Sequence, residues 1–164
     1  MKKFKDFSEI EKAALLLDEL DLIPENIEER ENIFSDINRE TALQMLLDDM
    51  CSNTGVYKAL ISDSRGLVIA SSSDMPDTEN NAAVASIFGE TLITIGKLLN
   101  HSDLCFVSLD FNLLDKISIY KFYLEEGNSA YLLVTSSQDY DVRAQLEIVS
   151  SSIRQILFSS KAGN

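Results

Sequence analysis

Residues 55–72 have the sequence GVYKALISDSRGLVIASS, and this stretch predicts the class of the fold. Two β-rich runs, residues 56–62 and 67–72, flank a turn formed by residues 63–66. A short turn that ends in glycine is typical of a β-hairpin in which the glycine takes the left-handed conformation. The stretch therefore predicts a hairpin, with Gly66 as its left-handed residue.

Three further strands are predicted after residue 100, and short turns separate them. They span residues 104–110, 115–124 and 130–136, with turns at Asn112 and at residues 126–128. Short connections favour antiparallel neighbours, so these strands predict a meander. Together with the hairpin they make five antiparallel strands.

Helices are predicted before, between and after the two groups of strands. The first spans residues 38–53, with Asn38 as its N-cap, and the second spans residues 78–100. The third spans residues 140–159 and carries a single apolar seam at spacings of 4, 3, 4 and 3, formed by Val142, Leu146, Val149, Ile153 and Ile156. The predicted order is α-β-β-α-β-β-β-α, an α/β fold.

The N-terminal segment, residues 1–37, is predicted to add helix to this domain. Ser8 and Glu11 form a capping box at the start of an apolar stripe. The stripe consists of Ile10, Ala13, Ala14, Leu17 and Leu20. Residues 24–40 are densely charged and are interpreted as a connecting helix or a partly ordered linker. We expect a domain over residues 38–160 and a flexible tail over residues 161–164.

Composition excludes several classes of function. The 164 residues include 14 Lys+Arg and 27 Asp+Glu, which gives a net charge of −13. An acidic surface repels phosphate backbones and anionic lipids, so neither nucleic acid nor a membrane is an expected partner. No uninterrupted apolar run approaches the roughly 18 residues of a membrane span. Without a recognisable signal peptide, and with two widely spaced cysteines, the chain is expected in the cytoplasm.

The sequence offers no set of residues that predicts catalysis. His101 is the one histidine and has no metal-ligand companion at suitable spacing, so it is interpreted as a polar turn residue. Cys51 and Cys105 are interpreted as small apolar residues. The six glycines form no phosphate-binding motif. Asp48, Asp49 and Arg65 are interpreted as surface residues, and we expect no enzyme activity, no metal and no cofactor.

One surface remains unexplained by the fold and predicts a partner. The helix over residues 78–100 is apolar around most of its circumference, so it must be covered on two sides. The strand over residues 104–110 is apolar on both faces and becomes a pairing site if it lies at the sheet edge. A homodimer satisfies both elements, through Ala83, Ile87, Phe88 and Thr91 of the helix and Cys105, Val107 and Leu109 of the strand. The alternative is a monomer whose N-terminal helices cover this surface.

The order of these elements resembles the roadblock / dynein light chain family over about residues 38–159. The resemblance includes the first hairpin with its Asp-x-x-Gly turn at residues 63–66, the Asn81-Ala82-Ala83 run near the start of the long helix, the AYLLVTS strand (residues 130–136) and the closing amphipathic helix. It implies a profilin-like sandwich with a five-stranded antiparallel sheet that dimerises through the third strand and second helix. Residues 1–37 are an addition to the family's minimal domain.

The resemblance also implies a non-enzymatic role as a partner or scaffold of small Ras-like GTPases. Two alternatives remain open. One is an adaptor that uses the dimer as a platform and the N-terminal segment as its docking element. The other is a small-molecule sensor, which has a suitable architecture but no convergent polar residues to form a site.

Overall fold

The computed structural model describes residues 27–124 and 127–158. By its contacts the chain divides into two units, Met1–Thr41 and Ala42–Asn164. The helix predicted from Ser8 and the tail at 161–164 lie outside the described residues, and the division of the chain at residue 37 stays a prediction.

Helix α1 spans Ile27–Asn53, so the predicted start at Asn38 is wrong. No proline or glycine interrupts residues 27–53, and a helix without such a residue has no local reason to end at a possible cap. Asn38 therefore lies inside a continuous helix, and the charged stretch from Ile27 onward is helical.

The predicted strands and the two later helices are confirmed, with ends that shift by a few residues. In chain order they are β1 (Val56–Asp63), β2 (Val68–Ser71), α2 (Thr78–Leu99), β3 (Phe106–Asp110), β4 (Asp115–Tyr123), β5 (Ser129–Ser137) and α3 (Arg143–Phe158). Gly66 has φ +81°, the left-handed conformation that the hairpin turn predicted.

The five strands form one antiparallel sheet in the order β2-β1-β5-β4-β3. The hairpin and the meander are joined by the pairing of β1 with β5, which aligns Leu60 with Leu133. Strands β2 and β3 therefore lie at the two edges of the sheet.

Helices cover both faces of this sheet, and strand alternation decides which side chains face which helix. Leu132 packs in a core with Leu47 of α1 and Leu146 of α3. Its neighbour Leu133 packs on the opposite face, in a second core with Ala85 of α2. The architecture is a three-layer α/β sandwich, which confirms the α/β element order predicted from the sequence and the five-stranded sandwich that the family resemblance implied.

Helix α2 combines a sheet-facing track with an outward apolar surface. Among the residues that the structure describes, it is the one helix long and apolar enough in composition to cross a membrane. Its track of Ala82, Ala85, Gly89, Leu92 and Gly96 is nonetheless buried within the domain. This side of the helix therefore packs against the sheet, and its other side is exposed.

Candidate interaction surface

Glycine at two positions lets α2 lie close to its neighbours. A Cβ atom added at Gly89 would overlap ring atoms Cε1 and Cζ of Tyr131, a buried side chain of β5. A Cβ atom added at Gly96 would lie 2.5 Å from the carbonyl oxygen of His101. The first contact lets α2 lie close to the sheet, and the second lets the chain that follows α2 pack against the end of the helix.

The outward surface of α2 carries exposed apolar side chains from its first half to its last turn. Ala83, Ile87 and Thr91 are exposed, and Phe88 is half-buried against the α2-side core. Ile87 is 62% exposed, and the stripe continues to Leu98, which is 78% exposed, and Leu99. We call this surface, from Ala83 to Leu99, the α2 stripe.

Strand β3 lies at the sheet edge beside α2, and its alternation agrees with the predicted two-faced pattern. Val107 packs on the α2-side core, whereas Phe106 packs on the core under α1 and α3. Leu109 is half-buried. Cys105 lies just before the strand. Burial of the Tyr120 phenol raises its pKa, and the nearby Cys105 thiol adds to this effect.

Backbone hydrogen bonds show which residues of β3 are available to a partner. The N–H of Lys121 donates to the carbonyl of Cys105 (2.7 Å), and the N–H of Phe111 donates to the carbonyl of Asp115 (3.4 Å). The register between β3 and β4 is regular between these two bonds. Because bonded and non-bonded pairs alternate in antiparallel sheets, Val107 and Leu109 direct their backbone groups toward β4. Phe106, Ser108 and Asp110 direct theirs outward.

This alternation separates two roles that the sequence alone did not distinguish. The side chain of Val107 faces α2, but its N–H belongs to the ladder within the subunit. The outward N–H at the centre of the strand belongs to Ser108, whose hydroxyl lies 3.0 Å from the hydroxyl of Ser118 on β4. A partner strand would therefore bond to Ser108 and not to Val107.

The β3–β4 turn carries an exposed apolar group that sequence reasoning missed. The side-chain Oδ1 of Asn112 accepts the N–H groups of Leu114 and Asp115, both at 2.7 Å. This turn holds Leu113 and Leu114 outward, at 91% and 75% exposure, beside exposed Phe111. We call Phe111–Leu114 the hairpin tip. The sequence held one sign of this group: three apolar residues surround Asn112 in a turn, where polar residues are usual.

The residues considered for chemistry have structural roles instead. The side chain of His101 is exposed, and the backbone N–H of His101 donates to the carbonyl of Gly96 near the end of α2 (2.8 Å). The Asp48 carboxylate accepts two hydrogen bonds from Ser73, each 2.7 Å. Arg65 pairs with Asp63 at 3.0 Å across the hairpin turn. Within residues 27–124 and 127–158, no three His, Cys, Asp or Glu side chains are grouped to hold a metal ion.

A shallow cavity of about 170 Å³ lies on the other face of β3, near the start of α3. Two of its charged groups are engaged elsewhere: Lys116 donates to the carbonyl of Gln138 (3.0 Å), and the guanidinium of Arg143 lies over the Phe106 ring at 5.1 Å. We assign no ligand to this cavity.

These features define the class of protein: a five-stranded antiparallel α/β sandwich with β2 and β3 at its two strand edges and an apolar helix beside β3. Similar solved structures share this architecture. Myxococcus xanthus MglB is 15% identical, with a TM-score of 0.62 over 73% of this chain and 90% of that one. An MglB in a tetrameric arrangement is 16% identical, with a TM-score of 0.59 over 72% and 89%. A roadblock/LC7 domain from Streptomyces avermitilis is 18% identical, with a TM-score of 0.59 over 70% and 96%.

The chain therefore has the roadblock/LC7 fold, which confirms the fold that its sequence resemblance implied. No family model matches the sequence, and no curated protein matches it. At 15–18% identity the likeness establishes architecture, and the roles of individual residues must be argued from this chain.

Proposed function

We propose that this protein is a cytoplasmic, homodimeric roadblock-type regulator that binds a small Ras-like GTPase and modulates its activity or localisation. The observation that carries the proposal is an unpaired strand edge next to the α2 stripe, within a roadblock/LC7 fold. An open edge and an apolar patch are the features by which a domain of this kind recognises another protein.

The proposed dimer uses Ala83, Ile87, Phe88 and Thr91 of α2 with the strand that carries Val107 and Leu109. A second copy supplies both an edge strand and an apolar helix, so it can cover both features at once. Cys105 lies at the margin of this contact, because it precedes β3. The tetrameric arrangement of a structurally similar MglB supports self-association in this fold.

The proposed GTPase partner rests on the family resemblance and on the likeness to MglB. In this proposal the dimer holds the switch loops of the GTPase in a conformation competent for hydrolysis. It acts by shifting a population of conformations and supplies neither a nucleophile nor a cofactor. The described surface is accordingly expected to bind protein and not a small molecule.

The test is recovery of partners by the purified full-length protein, with GDP in one arm and a non-hydrolysable GTP analogue in the other. We expect a Ras-like GTPase to be enriched in the GTP-analogue arm. Mixing the recovered GTPase with the protein then measures whether hydrolysis accelerates. Absence of any GTPase from both arms would contradict the regulator.

Two variants with equal exposure connect the surface to this result. Ile87 on α2 and Ile148 on α3 are each 62% exposed, so aspartate at either position adds the same charge at similar cost to the fold. Ile87→Asp buries a carboxylate in the proposed dimer and is expected to weaken association at least about 100-fold. Ile148→Asp is the control and should remain dimeric by light scattering. Equal masses for the two variants would contradict the assignment of the α2 stripe.

An adaptor that docks its partner through the N-terminal apolar stripe is the second candidate. Deleting residues 1–26 tests it and leaves helix α1 whole. An adaptor loses its partner on this deletion, whereas a GTPase bound by the sheet domain is retained. Nucleotide-independent recovery that depends on residues 1–26 would favour the adaptor.

A further inference from the structure

We propose that the hairpin tip, Phe111–Leu114, is an anchor that inserts into an apolar pocket with a basic rim on a partner protein. This inference goes beyond the proposed function, because it assigns a second interaction surface, separate from the α2 stripe. It follows from the exposure of the tip, from the hydrogen bonds that hold it, and from the carboxylates around it.

The tip exposes three apolar side chains within four residues. Leu113 is 91% exposed, Leu114 is 75% exposed and Phe111 is 55% exposed. Single exposed apolar residues are common on protein surfaces, but a contiguous group marks a site of interaction. Polar residues would satisfy this turn equally well. The leucines therefore indicate a contact outside the subunit.

Hydrogen bonds order the backbone of the tip. The Oδ1 atom of Asn112 accepts the N–H groups of Leu114 and Asp115, and the Asn112 amide donates to the Asp115 carboxylate (3.2 Å). The carbonyl of Leu114 accepts the N–H of Gln138 (2.8 Å), which joins the tip to the end of β5. Because the backbone is ordered before binding, a partner meets a lower entropy cost when it covers the leucines.

The tip lies away from the contact between α2 and β5. Tyr131 lies under Gly89 of α2, whereas Asp115 at the base of the tip pairs with Ser137. Tyr131 and Ser137 are six positions apart on β5, which corresponds to about 20 Å along the strand. A contact at the tip is therefore distinct from a contact along the first half of the α2 stripe.

Acidic side chains around the tip specify the charge of the partner. Asp110 and Asp115 flank the tip directly, and Asp139 follows Gln138, whose N–H bonds to the tip. We call these three aspartates the acidic collar. Among the residues that the structure describes, none of the three carboxylates forms an ion pair. The Lys116 ammonium donates instead to the carbonyl of Gln138 (3.0 Å).

The acidic collar favours one occupant over two others. Anionic lipid headgroups repel it, so an anionic bilayer does not accept the tip. A second copy of this chain has a net charge of −13 and offers an acidic surface. A protein pocket with an apolar floor and Lys or Arg at its rim accepts both the leucines and the carboxylates.

Site-specific photo-cross-linking identifies the occupant. Leu113→benzoylphenylalanine is introduced in the full-length protein in its host cell. Leu67→benzoylphenylalanine is the matched control, because Leu67 is a 55% exposed leucine beside the other hairpin turn. We expect position 113, and not position 67, to form an adduct with one protein, through a peptide that lines an apolar pocket flanked by Lys or Arg. An adduct with lipid, an adduct with a second copy, or no adduct would overturn the proposal.

Titration of the purified cross-linked partner measures what the tip contributes. Leu113→Ser should raise the dissociation constant at least about tenfold, and Leu67→Ser should change it less than about twofold. Asp110→Asn combined with Asp139→Asn should weaken binding at low salt and make it less dependent on salt. Equal constants for the two serine variants would overturn the apolar anchor. An unchanged salt dependence in the asparagine variant would overturn the basic rim.

A further variant separates the shape of the tip from its composition. Asn112→Ala keeps the three apolar side chains and removes the hydrogen bonds that order them, and alanine is compatible with the backbone because Asn112 does not have a positive φ. Binding should weaken about three- to tenfold. All tip variants should keep the mass of the natural sequence in light scattering. A loss of mass would assign the tip to self-association and overturn the proposal, whereas a failure of the tip at unchanged dimeric mass leaves the proposed homodimer intact.

Discussion

Replacing Gly89 with alanine tests the packing that positions α2, and its effect is expected to change sign with the residue at 131. A methyl group at position 89 overlaps Cε1 and Cζ of the Tyr131 ring, and that side chain is buried between α2 and the sheet. Forcing atoms into a close-packed core costs about 1–3 kcal/mol. Replacing glycine with alanine inside a helix raises the free energy of unfolding by about 1 kcal/mol, because alanine has the higher helix propensity. We therefore expect Gly89→Ala to lower the free energy of unfolding by up to about 2 kcal/mol.

The matched background is Tyr131→Leu, whose shorter side chain lacks the atoms that the new methyl group meets. In that background the helix-propensity gain remains without the overlap, so Gly89→Ala should stabilise the protein by up to about 1 kcal/mol. Guanidinium denaturation followed by circular dichroism measures all four proteins, at one protein concentration because dimerisation adds apparent stability. A change of the same sign in both backgrounds would refute the assignment of Tyr131 as the group that limits the approach of α2.

Three further predictions concern the turn, the strand and a thiol. Burial acts to raise the pKa of Asp63, but hydrogen bonds from Leu67 and Arg65 outweigh it, so its folded-state pKa lies below the ordinary 3.8. The stabilisation by ionised Asp63 is therefore fully present above about pH 3.8 and is lost as the pH falls through the folded-state pKa. Asp63→Ala should lower the free energy of unfolding by about 1–2 kcal/mol at pH 7. If thermal denaturation gave the same loss at pH 2, this assignment would be contradicted. Val107→Pro should lower subunit stability by about 3 kcal/mol, because it breaks the bonds of β3 to β4, and a fully stable monomer would show that the alternation along β3 is misassigned. Burial raises the pKa of the Cys51 thiol, and the charges of Asp48 and Asp74 add to this effect, while a hydrogen bond with Ser72 opposes it. Maleimide should therefore label Cys51 more slowly in the folded protein than in the urea-unfolded protein. Equal labelling rates would contradict the burial of this thiol.

Local patterns in the sequence were sufficient to predict most elements of this fold. The glycine at position 66 and the alternating strands on either side predict the first hairpin, because turn chemistry and strand period are properties of neighbouring residues. The apolar seam from Val142 to Ile156 predicts α3 for the same reason. The start of α1 was misplaced, since a possible N-cap at Asn38 cannot be distinguished locally from a residue inside a longer helix.

The candidate site was predicted in part. The apolar circumference of α2 predicted a covered surface, and that surface is exposed within the subunit at Ile87 and Leu98. The hairpin tip was missed, because a leucine in a turn carries no local sign of whether a neighbouring element covers it. Likewise, the overlap between Gly89 and Tyr131 joins residues 42 positions apart, and no periodic pattern connects them.

The sequence by itself determined the class of elements, their order, the two-faced nature of β3 and the apolar excess of α2, since these depend on residue type and on spacing along the chain. Only the tertiary structure decided that β3 lies at the edge of the sheet, that Ser108 and not Val107 directs its N–H outward, and that the hairpin tip and the end of α2 remain uncovered. Strand order and hydrogen-bond direction depend on which distant segments pair, because pairing of β1 with β5 and of β4 with β3 fixes the direction of each remaining backbone group. Those pairings leave the outer edges of β2 and β3 unpaired, and the α2 stripe lies beside the β3 edge.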